Sequence, residues 1–425
     1  MTMKNNIPAG YKDSAVGVIP QEWEVRTFQE LGSMLGTNTL SRDKMNECSG
    51  CAQNIHYGDV LVKYGEVLDC TSMNIPWVNS DCGNANLGTN LQNGDIVISD
   101  TAEDYIVGKA TEVQGVGTKI VLSGLHTIAF RPNAGMFAPN FLGYYFNSTI
   151  YRAQLYPLIQ GIKVCSISKK AISNTKLAVP PIEEQRKIAE ILGVWDEAIE
   201  KQSRLIEKLE LRKRALMQHL LTGRTRLPGF TTPWQKVKLG EIGRFISGCV
   251  FNENEQGGKV GFPFFKVSDM NLCGNEVRMT KSNNYVTQEQ IERLNYIVVE
   301  DEAIILAKVG AAIALERKRY AKDFIIDNNM LAYVPDTNIW YMKYWFDSIK
   351  LSKYIQVGAL ASFYASDLAI IKLNIPSLSE QKAIAEVLTA ADNEIATHRK
   401  KLDALRLQKR GLMQQLLTGK TRVKI

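Results

Sequence analysis

One segment of this chain is written twice, and that duplication limits what the chain can fold into. Pro180-Pro181-Ile182-Glu183-Glu184-Gln185-Arg186-Lys187-Ile188-Ala189-Glu190 returns as Pro376-Ser377-Leu378-Ser379-Glu380-Gln381-Lys382-Ala383-Ile384-Ala385-Glu386, an offset of 196 residues from Gln185 to Gln381. Met217-Gln218-His219-Leu220-Leu221-Thr222-Gly223 returns at the same offset as Met413-Gln414-Gln415-Leu416-Leu417-Thr418-Gly419, and Thr225-Arg226 as Thr421-Arg422. No gap falls between these landmarks, so the chain reads as two halves in register. Trp23 and Gly32 also return, as Trp234 and Gly243, at an offset of 211. The duplication therefore reaches beyond the segment, and the stretch in between varies.

The duplicated segment is predicted to be helical. The prolines end a preceding strand, because a residue before proline is driven out of the α region. Ser377 and Ser379 suit an N-cap, and Glu183-Glu184 places negative charge where the helix dipole favours it. Apolar positions then step by four and three, a heptad seam: Ile188, Leu192, Trp195, Ile199, Gln202, Ile206, Leu209, Lys213, Leu216, Leu220 in one copy. The other copy runs Ile384, Leu388, Ala391, Ile395, His398, Leu402, Leu405, Lys409, Leu412, Leu416. Both copies break the seam at Gln202/His398 and Lys213/Lys409. Shared defects suggest that the helices pack on each other, since polar seam residues fix register. Gly223 and Gly419 are the expected C-terminal caps. Each helix should hold about 40 residues and run about 60 Å.

Between the repeats lie two bodies of about 150 residues, each large enough for its own core. They read as short strands and turns: 94–99, 119–122 and 127–130 in the first, 302–308, 324–326 and 330–334 in the second. Each body adds one aromatic helix, Phe141–Phe146 and Met342–Phe346. Their aromatic residues read as core faces rather than base-stacking platforms. The expected fold is α+β: two mixed α/β domains separated by two long helices pairing as an antiparallel coiled coil, with a pseudo-twofold internal repeat. The expected boundaries are 1–179 and 227–375 for the bodies, and 180–226 and 376–425 for the helical segments and tail.

Composition fits a globular protein, at 45% hydrophobic and 22% charged residues with a net charge of +7, which permits a nucleic-acid partner without requiring one. No apolar run approaches about 20 residues, so no membrane span is expected. The N-terminus leads into no apolar signal core, so a cytoplasmic location is expected. Among seven cysteines, Cys48 and Cys51 have a metal-like spacing that Cys70 and Cys82 could complete, with His56 in reserve. The second pair lacks that spacing and the other half offers no counterpart, so reduced thiols without metal are the expected state.

Catalytic motifs are missing. Four scattered histidines make no cluster. Gly419-Lys420-Thr421 resembles the end of a phosphate loop, but position 414 is Gln. There is no nucleophile elbow, no zinc-protease helix and no Asn-Pro-Pro-aromatic tetrad. Basic residues do gather: Lys163, Lys169 and Lys170 in the first body, Lys308, Arg317, Lys318 and Arg319 in the second. They suit phosphate contacts, which position a protein on DNA without reading it, and equally suit a solvated surface. The basic C-terminal halves of the helices suit either the helix dipole or a DNA- or partner-facing role.

The chain resembles the DNA-specificity (S) subunit of type I restriction–modification systems. The resemblance is carried by Pro180 to Gln185, its echo at Pro376 to Gln381, the two Leu-Leu-Thr-Gly endings, and the opening Gly10-Tyr11-Lys12 with Ile19-Pro20-Gln21-Glu22-Trp23. It implies that each body is a target recognition domain reading one half of a split, non-palindromic site on double-stranded DNA. It implies that the helices act as a ruler and as the docking surface for two methyltransferase subunits, which carry S-adenosylmethionine and methylate adenine. It implies that a restriction/translocase subunit joins the assembly and that this chain is not an enzyme. Lys308-Val309-Gly310 fits the family's basic-x-Gly turn after the central strand. The first body has Asp100-Thr101-Ala102 there, so no phosphate role carries over to position 100. The alternative is a helical-hairpin scaffold with two ligand-binding domains that never binds DNA. A fused restriction enzyme is disfavoured by the missing motifs.

Overall fold

The computed structural model describes residues 7–79, 87–309, 313, 315–354, 362 and 364–425. It divides into two compact units: Met1–Ser203 with Lys401–Ile425, and Arg204–Lys400. Two helices of 39 residues each, Ile182–Leu220 and Leu378–Leu416, belong partly to each unit. At about 1.5 Å per residue each is about 58 Å long.

In the first unit, Glu24–Thr27 pairs antiparallel with Lys176–Val179 and so closes the body just before the long helix starts. Inside that closure lies a five-stranded sheet in the order Gly32–Leu35, Thr127–Pro132, Ile96–Ser99, Ala110–Gln114, Val67–Asp69. Its last pair is parallel, the others antiparallel. A second sheet orders Val121–Ser123, Gln53–Ile55, Trp77–Val78 and Met45–Asn46. Ile96–Ser99 and Thr127–Phe130 are buried throughout, as central strands covered on both faces must be.

The second unit repeats this plan with fewer strands. Gln235–Lys238 pairs antiparallel with Lys372–Ile375. The central sheet orders Gly243–Ser247, Met330–Pro335, Ala303–Ala307 and Lys318–Ala321, all antiparallel. A three-stranded sheet orders Tyr285–Val286, Phe262–Phe265 and Ile325–Ile326. The aromatic helices, Phe141–Phe146 and Ile339–Ser348, are core elements: Phe141, Leu142, Tyr144, Tyr145 and Phe146 are buried, as are Tyr341, Met342, Tyr344, Trp345 and Phe346.

Each unit has one main apolar cluster that joins its body to the long helices. In the first, Trp23, Phe28, Phe130, Phe141 and Tyr145 pack with Ile188 and Leu192 of one helix and Met413 and Leu416 of the other. In the second, Leu239, Tyr333, Tyr341 and Phe346 pack with Leu220 and with Ile384 and Leu388. Every seam position named above is buried or half-buried. The two helices run antiparallel within each unit, since Asp196 meets Lys409 while Glu184 meets Arg422. In the other unit, Lys213 meets Asp392 while Arg226 meets Glu380. Gly223 and Gly419 follow the helix ends with φ of +70° and +68°. At Gly419 a Cβ would lie 2.4 Å from the Pro20 ring, so glycine is required for space as well as conformation.

A buried carboxylate supports the first aromatic helix. Glu112 is 2% exposed and accepts backbone N–H bonds from Asn140 (2.5 Å) and Gly143 (2.9 Å). Burial raises its pKa to about 7, against the opposing pull of those N–H donors. A carboxyl group with a raised folded pKa contributes stability that is full below the unfolded value, near 4.5, and is lost as pH rises through about 7. Relative to Glu112→Gln, the wild type should therefore lose stability on the order of 3 kcal/mol between about pH 4.5 and pH 7. Denaturation of both proteins across that window would measure it, and a pH-independent difference would exclude a titrating Glu112.

Candidate nucleic-acid interface and the helix clamps

The residues that join each body to the helix pair form two clamps, built alike in both units. At the first, Glu184 is 1% exposed and its carboxylate accepts two bonds from Arg422, Nε at 2.7 Å and Nη2 at 2.9 Å, and one from the Trp23 indole at 2.9 Å. In the second unit Glu380, 0% exposed, accepts from Arg226 at 3.0 and 2.6 Å and from the Trp234 indole at 3.2 Å. A carboxylate this deep needs a full set of donors, and the bidentate guanidinium with an indole supplies it. The carboxylate in turn raises the arginine pKa at both sites. Beside it, Gln185 accepts from Ala138 N and donates to Pro180 O; Gln381 accepts from Asn338 N and donates to Pro376 O. The twice-written Glu-Gln pair thus ties the helix start to its own body.

The second clamp accounts for the two lysines that interrupt the seam. Lys409 is 5% exposed; its ammonium lies 2.5 Å from Asp196, 2.8 Å from Glu66 and 5.0 Å from the Tyr144 ring centroid. Tyr144 donates its hydroxyl to Asp196 at 2.6 Å. Lys213 repeats this with Asp392 at 2.5 Å and the Tyr344 ring at 5.3 Å, and Tyr344 donates to Asp392 at 2.8 Å. Burial raises the Asp196 pKa against the pull of Lys409. An ammonium in an apolar seam is tolerable only with such a partner, so the pair allows one helix register and one body orientation.

The basic residues named from sequence do not form one patch. Lys163, Lys169 and Lys170 are exposed, the last two at the start of a short helix, Lys169–Ser173, capped by Ser168. Lys308 is half-buried where its strand ends. Arg317 is half-buried and donates to Asn271. Lys318 lies inside the body, 5% exposed, with its ammonium 2.9 Å from Glu316 and 2.9 Å from the Ile349 carbonyl. That ammonium fastens the strand Lys318–Ala321 to the segment after the aromatic helix and is not on the surface. Burial opposes ionisation of Glu316, yet backbone N–H bonds from Ser352 and Leu351 with the lysine bring its pKa to about 2. Arg319 is half-buried, and its Nε has no acceptor among the described residues. Cys48 and Cys51 are exposed and Cys70 is buried, its thiol pushed up to about 11 by burial. Cys82 lies outside the described residues. Among the described residues, no group of three or more His, Cys, Asp or Glu is placed to hold a metal ion.

Sequence reading missed the partners of the clamps. Arg226/Arg422, Glu184/Glu380 and Asp196/Asp392 all repeat at the 196-residue offset. That coincidence was the signal: charged residues repeated in register across both copies, the acidic pairs on the helices and the arginines just past their ends.

With two bodies clamped alike on a duplicated helix pair, the comparison with known proteins is decisive. A family described as the type I restriction modification DNA specificity domain matches residues 20–211 and again 231–407. The chain belongs to this family. Among its relatives is a putative type I restriction enzyme MjaX specificity subunit of Methanocaldococcus jannaschii, 27% identical over 442 aligned residues, covering 97% of either chain. The MjaVIII specificity subunit of the same organism is 28% identical over 306 residues, covering 62% of this chain and 66% of that one. In fold, the chain resembles one from a structure of type I R-M complex assembly and conformational transition, with a TM-score of 0.62 at 17% identity, covering 95% of this chain and 99% of that one. It also resembles the S subunit of a type I restriction–modification system from M. genitalium, with a TM-score of 0.51 at 15% identity, covering 100% and 99%. Two specificity domains in one chain make this a DNA target-recognition protein. Among the described residues, no helix is long and apolar enough to cross a membrane.

Proposed function

We propose that each body reads one half of a bipartite site on double-stranded DNA, and that the chain directs partner subunits to that site without catalysing a reaction itself. The observation that carries this is the pair of matched clamps: one fold is fixed twice to one helix pair, while the bodies differ in strand number and in sequence. Two different readers on one support give two different half-sites, and half-site spacing mirrors protein geometry. Lys163, Lys169, Lys170, Lys308, Arg317 and Arg319 are the cations we assign to the DNA-facing surfaces.

The partners are two methyltransferase subunits, which would bring the S-adenosylmethionine, together with restriction/translocase subunits, all in the cytoplasm. In support of two equal methyltransferases, Leu211 and Leu407 lie 196 residues apart and are 57% and 63% exposed. Each presents the same apolar spot on the outer face of a long helix, as two copies of one partner require.

Sequencing the methylated positions in DNA from cells that express this chain with its methyltransferase is the test. The expected result is one split motif with a fixed gap, absent when this chain is deleted. An assembly that forms without DNA, is indifferent to salt and leaves no motif would favour the scaffold instead, because DNA affinity falls steeply with salt.

A further inference from the structure

The central strands of the two bodies end on opposite charges. In the second body the strand Ala303–Ala307 is followed by Lys308, whose backbone N–H bonds to the Asn329 carbonyl at 3.0 Å. In the first, Ile96–Ser99 is followed by Asp100, whose N–H bonds to the His126 carbonyl at 3.1 Å. The next residues also behave alike: Val309 bridges to Ser362, and Thr101 pairs with Ser166. Ser166 and Ser362 are themselves 196 residues apart. Backbone pairing therefore makes Asp100 the counterpart of Lys308, and His126 the counterpart of Asn329. Where one body has a cation, the other has an anion with an imidazole beside it.

His126 is not placed as a packing residue. Its side chain is 48% exposed, with Nδ1 3.5 Å from Asp100 Oδ1 and 3.3 Å from Thr101 Oγ1. The ring stands edge-on to Tyr57, with centroids 5.3 Å apart at 82°. Its φ is +54°, a left-handed conformation that glycine adopts freely and a residue with a Cβ resists. Strained residues of this kind gather at functional sites. The charged and titratable groups around it come from three sides. Asp100 lies at the strand end. His56 and Tyr57 open the helix Tyr57–Val62, with Asp59 and Arg42 paired behind them, and burial lowers the His56 pKa. The segment that pairs with Thr101 carries exposed Lys163 on one side and Lys169 and Lys170 on the other.

We propose that His126, held by Thr101 and Asp100, is a DNA-contacting hydrogen-bond donor of the first body, taking an acceptor on the duplex where the second body presents Lys308. This rests on the reading of each body as a DNA reader. With Nδ1 turned to Thr101 and Asp100, Nε2–H is the donor available to the duplex. It suits a backbone phosphate oxygen or the N7/O6 edge of a guanine, both of which accept an N–H bond.

The experiment uses the full chain with its methyltransferase partner and measures DNA affinity against salt. It compares the wild type, His126→Gly and the double variant Asp100→Lys/His126→Gly. Glycine fits the left-handed turn without strain, so His126→Gly should unfold at or above the wild-type temperature, and lost binding would not reflect misfolding. His126→Gly should bind about tenfold more weakly than the wild type. The double variant should recover affinity. A loss that is uniform over DNA sequences, with the salt slope reduced by about one, assigns the contact to phosphate. A loss confined to one base pair of the first half-site, seen as a relaxed methylation motif, assigns it to guanine. If His126→Gly keeps wild-type affinity, salt slope and motif, the proposal fails while the DNA-reader reading stands. If the wild-type complex itself shows no sequence-dependent retention, both fail.

Discussion

Replacing Glu184 with alanine should cost the first unit about 3 kcal/mol, because it strips a buried carboxylate from Arg422, which keeps only the exposed Glu22 at 2.7 Å, and strands the Trp23 indole. The carboxylate is 1% exposed and receives Arg422 through two bonds and the Trp23 indole through a third. Trp23 is itself fully buried, so its N–H would lose its partner with no access to water. Glu184→Gln should cost less: the amide oxygen still accepts, but the arginine charge is then matched by Glu22 alone. The neighbouring Glu183→Ala, in a pair exposed at both ends, should fall within about 0.5 kcal/mol of the wild type. The matching change Glu380→Ala should weaken the second unit in the same way through Arg226 and Trp234. Denaturation together with hydrogen exchange over 184–196 and 413–422 separates the outcomes. If Glu184→Ala and Glu183→Ala proved indistinguishable, the clamp would not hold the body to the helices.

The comparison of sequence and structure divides along the same lines. The long helices were legible because a heptad seam stepping by four and three has one physical reading, and because two copies corrected each other. The aromatic helices were legible as core faces, and the strands at Ile96–Ser99, Ala303–Ala307 and Met330–Pro335 as apolar runs after turns. What the two lysines in the seam do was not legible, since their partners sit 179 to 343 residues away and an unpaired lysine looks like a defect. Lys318 shows the limit from the other side. A basic run, Arg317-Lys318-Arg319, reads as surface, yet strand alternation turns its middle member inward, where Glu316 and a carbonyl receive it. Tyr144 and Tyr344 belong to both accounts: their rings pack in the core while their hydroxyls reach the aspartates of the clamp. The exchange of Lys308 for Asp100 was visible in sequence. Its companion His126 was not, because strand pairing rather than sequence distance brings His126 beside Asp100.

Lengthening both long helices by one heptad should lengthen the gap between half-sites and leave the half-sites themselves unchanged. Seven residues add two turns, about 10.5 Å of helix, or about three base pairs of duplex at about 3.4 Å each. The insertions belong after Gln202 in one helix and after His398 in the other, equivalent seam positions in the two copies, so that a full heptad keeps the apolar stripe in phase. Both must be lengthened together, because the helices are antiparallel where they meet and a single insertion would displace one side of a clamp. The clamps lie on either side of these points, Glu184 and Asp196 before the first insertion, Lys409 and Arg422 after the second. An insertion of four residues in each helix is the control. It rotates the following seam by about 40°, turns apolar positions toward solvent and should abolish folding or methylation rather than shift the gap. Methylated-base sequencing reads all three proteins directly. A motif whose half-sites change while its gap stays fixed would show that the helices do not measure the spacing, and the duplicated seam would then serve stability alone.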